Sequence, residues 1–327
     1  MNLFLLAAGE GTRFRPYTEV LPKPAIPFSG VPLIYHSVFL AKNLKPKKII
    51  INTFHLPEEI HRVGSKLSHS GVEVHYSNEK PTLMGSGGGI ARAKALLDDE
   101  DGFIAMNADE VIIPNEENVL SDFYNFSKSS INLSTLLVMR HPEAGKKFGA
   151  VWVNSRGEVR GFGKTKPNSN DELVPYHFIG PMHFKNKIFS YLKLEPSNIL
   201  HDILNKAILS GESVGVYPID CEWFEIGNLP DYLEATKSFL QLLDREHSFI
   251  KQWKSEFLAD WLLVKTNNAI ILKHESAILE NLASVEGFAV LGPNCRVGSN
   301  VQIKDIVCCA NISLIESKKR IQNDLFI

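Results

Sequence analysis

Three cations, Arg13, Arg15 and Lys23, follow closely on a turn that holds Gly9, Gly11 and Thr12, and Pro16, Pro22 and Pro24 stiffen the chain between them. Glycine lets backbone N–H groups approach an anion, and guanidinium and ammonium groups neutralise it. The stretch therefore reads as a cradle for a polyphosphate. A second glycine-rich string, Pro81 to Ile90 with Gly85, Gly87 and Gly88, opens a helical stretch. Its N–H groups could hold a base edge or ribose, and Glu79 just ahead is a suitable acceptor for a base N–H. Asn107-Ala108-Asp109 closes an apolar run. A carboxylate beside bound phosphates suits Mg2+, which takes one or two carboxylates and fills its shell with phosphate oxygens and water.

The elements that must carry these groups are strands. Leu3 to Ala8, Lys48 to Asn52 and Gly102 to Asn107 are short apolar runs of the buried parallel kind, and Val72 to Tyr76 alternates. Helical stretches at Ile34–Lys42, Glu58–Leu67 and Ile90–Leu97 separate them. This alternation predicts an α/β fold, a Rossmann-like doubly wound mixed sheet that is mostly parallel, with ligands beyond the carboxyl ends of the strands. Further on, Asn132–Met139 and Phe148–Asn154 read as longer strands, Ser155–Glu158 as a hairpin turn, and Leu229 to about Trp253 as one long helix. Trp261–Asn281 reads only as a connector.

Several other chemistries find no support. No G-x-x-x-x-G-K-[ST] string occurs, and Phe14 stands where a dinucleotide fingerprint needs its third glycine. The histidines form no H-x-x-x-H or H-E-x-x-H string, and no cysteine has a neighbour that would activate it.

Residues Leu6 to Pro24 resemble the signature of the sugar-1-phosphate nucleotidyltransferases, L-A-A-G-x-G-T-R-x-x-P-x-T-x-x-x-P-K-P, matching at Gly9, Gly11, Thr12, Arg13, Pro16, Thr18, Pro22, Lys23 and Pro24. The resemblance implies that Leu6, Ala7, Ala8, Gly9, Gly11, Thr12 and Arg13 bind nucleotide. The Met84–Ile90 string is similar to the G-T-G-G-G/A-[IL] segment of uridylyl- and guanylyltransferases, of the N-acetylmuramate-1-phosphate and mannose-1-phosphate types. Asp109 occupies the place of the family's metal-binding aspartate, with Ala108 for its glycine. Trp223-Phe224-Glu225-Ile226-Gly227 looks like its W-x-D-[IV]-G segment, with Glu225 for the second metal-binding aspartate. Phe148-Gly149-Ala150-Val151 resembles [FY]-G-V-[VI], where Gly149 would let the sugar lie against backbone. Gly161–Pro167 takes the place of F-x-E-K-P: Lys166 would hold the sugar 1-phosphate, while Thr165 replaces the sugar-binding glutamate. Asn107 and Gly180 would line the acceptor pocket, and His177 and His183 flank Gly180.

The last residues follow another rule. Leu291, Val297, Ile303, Cys309, Ile315, Ile321 and Ile327 stand six apart. This resembles the hexapeptide repeat of a left-handed parallel β-helix, and so short a stack is expected to pack on the main domain or on a second copy, giving a homo-oligomer. The division expected is a catalytic domain over 1–255, a connector over 256–284 and the β-helix over 285–327.

A net charge of −2 gives no reason to expect nucleic acid or an anionic membrane. The basic runs Lys45-Pro46-Lys47-Lys48 and Lys318-Lys319-Arg320 read as solvated loop charges. No apolar run approaches the ~20 residues of a membrane span, and Met1–Ala8 lacks the basic lead of a signal peptide. Cys221, Cys295, Cys308 and Cys309 form no C-x-x-C pair, which suits reduced thiols in the cytoplasm. The reaction implied is NTP plus sugar 1-phosphate giving NDP-sugar and pyrophosphate with Mg2+, Arg13, Lys23 and Asp109 being catalytic. The competing readings are a non-catalytic regulatory homologue, a phosphocholine-type cytidylyltransferase and a dinucleotide-dependent oxidoreductase.

Overall fold

The strand Asn2–Leu6 is buried along almost its whole length, so its backbone must pair on both edges. It does so in parallel, with Lys48–Thr53 on one side and Phe103–Asn107 on the other, and Glu73–Asn78 extends the sheet beyond Lys48–Thr53. The computed structural model describes residues 1–315 and 320–327. Lys318 and Lys319, read above as loop charges, lie outside the described residues. Contacts divide the chain into two compact units, Met1–Glu10 with Ile34–Trp223, and Gly11–Leu33 with Phe224–Ile327.

The first unit is built on a nine-stranded sheet among the described residues. Its other half is antiparallel: Val174–Phe184 pairs with Phe103–Asn107, Ser134–Met139 and Ala150–Val153, and Ala150–Val153 pairs with Val159–Gly163. Val214–Pro218 returns parallel to Ser134–Met139. The sheet is therefore mixed, as expected, and evenly so rather than mostly parallel. The reason is local: past Ser134 the strands are joined by a hairpin and loops, which return the chain antiparallel, where a parallel return needs a crossover. Phe4, Ile50, Phe103, Val138, Met182, Phe184 and Ile203 belong to one buried core on this sheet.

The second unit is organised on the helix Leu229–Leu242. Asn228 caps it by accepting from the Asp231 N–H at 3.0 Å, and Pro230 sits in its first turn, where no N–H is needed. Its inner face buries Tyr232, Phe239 and Leu240. Phe28, from a hairpin of Pro27–Phe28 with Val31–Pro32, meets Tyr232 and Phe239 edge-on at 5.9 and 5.2 Å. The expected single helix to Trp253 is two, Leu229–Leu242 and Ser248–Phe257. Asp244-Arg245-Glu246-His247 offers nothing apolar one turn beyond Leu243, so the buried stripe cannot continue.

The C-terminal strands stack in coils. Val285–Leu291, Gln302–Cys308 and Arg320–Phe326 pair in parallel, and a second parallel sheet joins Ile278–Leu279, Arg296–Val297 and Ser313–Leu314. The residues read as a connector form strands too: Trp261–Lys265 pairs antiparallel with Ala269–His274, which pairs with Val285–Leu291. The six-residue count holds through Leu291, Val297 and Ile303, all buried, and then slips. Leu291 pairs with Cys308, not Cys309, and Ile315 is exposed. The slip arises where Gly287 and Phe288 face the single residue Asp305, a bulge with Gly287 at φ 71° and Asp305 at φ 50°. The Asp305 carboxylate accepts the Phe288 N–H at 3.1 Å and holds it there.

Candidate active site

In the first unit, the strand Asn2–Leu6 runs out into Ala7-Ala8-Gly9. The N–H groups of Ala7 and Ala8 do not point freely at an anion, as the sequence suggests. Both donate to the Asn52 side-chain oxygen, at 2.5 and 3.2 Å, because Asn52 ends the neighbouring parallel strand at the same level. Gly9 is different: a Cβ there would meet nothing within 4 Å, and the residue is exposed. Its backbone is the part of this stretch open to a ligand.

Asn52 also donates to Glu79 Oε1 at 2.7 Å, and Glu79 Oε2 accepts the Met84 N–H at 2.7 Å. Glu79 is 1% exposed. Burial raises its carboxyl above the usual range, against the lowering effect of the Met84 N–H, Asn52 and Arg92. With both oxygens engaged inside the protein, Glu79 is not the direct base acceptor expected from its position.

The second glycine string is the opening of the helix Gly85–Arg92. Cβ atoms at Gly85, Gly87 and Gly88 would fall 2.7, 2.6 and 2.4 Å from Ser197 O, Ser197 Oγ and Glu195 O. One at Gly89 would fall 2.5 Å from Glu79 Oε1. The Gly87 N–H donates to Ser197 O, and Met84 O accepts from the Ser197 N–H. Gly87 and Gly88 are thus buried against Glu195–Ser197, and close packing accounts for both glycines without a base edge.

On the acceptor side, Asp109 is half-buried just beyond the strand Phe103–Asn107. Its neighbour Glu110, which sequence reasoning missed, accepts from Asn107 Nδ2 at 2.9 Å and from Trp223 Nε1 at 2.8 Å. Gly180, at φ 112°, lies where a Cβ would come 3.0 Å from the Glu110 side chain. Glu110 thereby holds Asn107, of the expected pocket, and Trp223, which opens the expected metal-binding segment. His177 packs edge-on to Trp223 at 4.4 Å and also meets Phe148 and His141. Neither of its ring nitrogens has a hydrogen-bond partner among the described residues, and burial pulls it down to about 4, so it is neutral at pH 7. His183 is structural: Nδ1 meets Ser127 Oγ at 2.7 Å and Nε2 meets Asp101 O at 3.0 Å. Gly149, Thr165 and Lys166 are exposed.

In the second unit, Gly11 takes a left-handed conformation, φ 62°, and its carbonyl accepts from Thr18 Oγ1 at 2.9 Å. Short 3-10 turns at Thr12–Phe14 and Lys23–Ala25 carry Arg13 and Lys23, with a third, Tyr17–Glu19, between them. Phe14, the residue that breaks a dinucleotide fingerprint, is buried against Tyr17 and Tyr232 and anchors the loop. Arg13, three-quarters exposed, lies 3.9 Å from Glu225. A Cβ at Gly227 would fall 2.4 Å from Glu225 Oε1, so a larger residue there would make that carboxylate turn aside.

No group of three or more metal-ligating side chains gathers among the described residues. Mg2+ that keeps phosphate oxygens and water needs only one or two carboxylates. Asp109 belongs to the first unit and Glu225 to the second.

The family profile described as Nucleotidyl transferase matches residues 3–241. The chain belongs to that family. A UTP–glucose-1-phosphate uridylyltransferase of Synechocystis sp. is 26% identical over 318 residues, covering 91% of this chain and 80% of that protein. The mannose-1-phosphate guanylyltransferase catalytic subunit beta of Danio rerio is 25% identical over 248 residues, with 74% of this chain and 65% of that protein covered. Among solved structures, the inositol-1-phosphate CTP transferase from T. maritima superposes with a TM-score of 0.60 at 20% identity, over 77% of this chain and 96% of that one. A UDP-glucose pyrophosphorylase complexed with UDP-glucose gives 0.60 at 21% identity, over 73% and 98%. These superpositions establish the mixed α/β fold of this nucleotidyl transferase.

Proposed function

We propose that this chain transfers a nucleotidyl group from UTP or GTP to a hexose 1-phosphate, with Mg2+, releasing pyrophosphate. The observation that carries the reading is the stretch Gly9–Lys23, which matches the family signature residue by residue and presents an unobstructed Gly9 and an exposed Arg13. The attacking phosphate and the triphosphate are both anions, so the barrier is one of charge and position, and no covalent intermediate is needed. In this reading Arg13 draws off the charge of the leaving β,γ-phosphates. Lys23 meets charge developing at the α-phosphate, and Lys166 holds the attacking phosphate. Asp109 and Glu225 are the carboxylates that would hold Mg2+, which would neutralise phosphate charge there. Thr165, in place of a glutamate, leaves the sugar to be read by other groups of the first unit.

The test is a matrix of the four NTPs against a panel of sugar 1-phosphates, followed by released pyrophosphate. Turnover with UTP or GTP and a hexose 1-phosphate, abolished by EDTA and restored by Mg2+, is expected; no pyrophosphate from any pair overturns the reading. Turnover that survives EDTA removes the Mg2+ assignment alone.

We further read the stacked coils as a short left-handed β-helix through which two copies associate. Light scattering that finds only monomer at high concentration refutes that association. No described helix is long and apolar enough to cross a membrane. Four unpaired cysteines suit a reducing compartment, and we place the protein in the cytoplasm.

A further inference from the structure

Asn52 and Glu79 lie outside every step assigned above, yet they form a buried polar pair with four hydrogen bonds, three of them to backbone N–H groups. Asn52 is 2% exposed and lies at the end of the strand Lys48–Thr53; Glu79 is 1% exposed and follows the strand Glu73–Asn78. Together they join the end of the first strand, through Ala7 and Ala8, to the start of the glycine helix, through Met84. We propose that Asn52 and Glu79 are positioning residues, a buried clamp that fixes the turn leading to Gly9, against the start of the helix Gly85–Arg92, in the conformation that receives the nucleotide. The proposal rests on the reading of this chain as an NTP-using enzyme.

The argument is one of donors and acceptors. Ala7 and Ala8 present two N–H groups to one side-chain oxygen, which forces the Asn52 amide to turn its NH2 toward Glu79. Glu79 in turn faces two donors, Asn52 Nδ2 and Met84 N, and a carboxylate accepts from both. Each of these donors is matched to an acceptor, and the buried cost of breaking any link is high. Gly89 shows how tightly the clamp is seated, since a Cβ there would lie 2.5 Å from Glu79 Oε1 and 2.9 Å from Asn52 Nδ2.

This pattern makes an exchange test possible. In Glu79→Gln, whichever way the new amide lies, its NH2 faces a donor. In Asn52→Asp, two carboxylates face each other. The double variant Asn52→Asp/Glu79→Gln removes both conflicts. The carboxylate now at position 52 would accept from Ala7 and Ala8 with one oxygen, and from the amide NH2 at position 79 with the other. The amide carbonyl at position 79 would then accept from Met84. Every hydrogen bond is restored, with donor and acceptor exchanged between the two side chains.

The experiment measures pyrophosphate release by the full-length chain, varying the NTP and the sugar 1-phosphate separately. Each single variant should raise KM for the NTP about tenfold or more, with KM for the sugar 1-phosphate moved far less. The double variant should return the NTP KM to within about threefold of the starting enzyme. A double variant as poor as the worse single, or singles with unchanged NTP KM, overturns the clamp. Should a single variant fail to fold, the double still decides by its own NTP KM. Amide exchange supplies an independent reading that needs no turnover. Ala7 and Ala8 should exchange slowly in the unmodified chain, and about tenfold faster or more in Asn52→Ala; fast exchange in the unmodified chain also refutes the clamp. A starting enzyme without turnover on any substrate pair would sink the proposed function, a result distinct from all of these.

Discussion

At Gly9 an added Cβ would meet nothing within 4 Å, whereas at Gly88 it would lie 2.4 Å from the Glu195 carbonyl oxygen. Both glycines sit in turns that precede the chemistry in the sequence, and both turns look like anion or base cradles when read as strings. The first keeps an approach open. The second lets a helix lie directly on another backbone segment, with Ser197 exchanging hydrogen bonds with Met84 and Gly87. Glycine density therefore has two physical meanings here, and only the surroundings of the missing side chain tell them apart. The two histidines that flank Gly180 divide in the same way: His183 is fully bonded, while His177 keeps two buried ring nitrogens without hydrogen bonds among the described residues.

The widest gap between the two kinds of position should come from Lys23→Ala, on the cationic loop. Loss of one preorganised charge donor should lower kcat by about 10²–10³ with the thermal midpoint unchanged. Normal turnover would break the division at its most functional end. Gly88→Ala should do the opposite, lowering stability by about 1–3 kcal/mol in a denaturant titration because the overlap is with backbone. If Gly88→Ala unfolds at the same denaturant concentration as the parent, the packing account of the second turn fails.

His183→Phe would strand the Ser127 hydroxyl and the Asp101 carbonyl, at a cost of about 1–3 kcal/mol. His177→Phe should leave stability at pH 7 nearly unchanged but flatten its pH dependence. The His177 ring falls from the ordinary 6.5 to about 4 on folding. Between those values the unfolded chain takes up a proton that the native chain refuses, so stability falls as pH falls through that window. Equal slopes of midpoint against pH for parent and variant would contradict this. The smallest effect on stability belongs to Gly9→Ala, within about 0.5 kcal/mol of the parent, while KM for the NTP rises. A stability loss as large as that of Gly88→Ala would erase the contrast between the turns.

Much of the parallel half of the sheet was legible, because Leu3–Leu5, Ile49–Ile51 and Phe103–Met106 are uninterrupted apolar runs and buried strands need such runs. The strand Trp261–Lys265 was not. It pairs along one side only, and Leu262 on it is half exposed, so no clear alternation marks it. The six-residue count failed beyond Ile303, since the bulge opposite Asp305 sets Cys308 rather than Cys309 beside Leu291 while leaving the composition untouched; it is met again at Ile321, which pairs with Ile303. The cationic side of the candidate site could be read directly, as its residues are contiguous. The Asn52–Glu79 link could not, because its partners stand 45 and 27 positions apart in the chain and no local pattern announces them. Glu110 was overshadowed by Asp109, its immediate neighbour.

One bond in the second unit has a wider reach than its size suggests. Tyr17 stands between Arg13 and Lys23, and its hydroxyl donates to Asp324 at 2.7 Å. Burial and the Asp324 bond push that hydroxyl up to about 12, so it stays a donor at any working pH. The last strand is consequently a mooring post for the loop that carries the three cations. Trimming the chain ahead of Asp324 would slacken that line and blunt turnover.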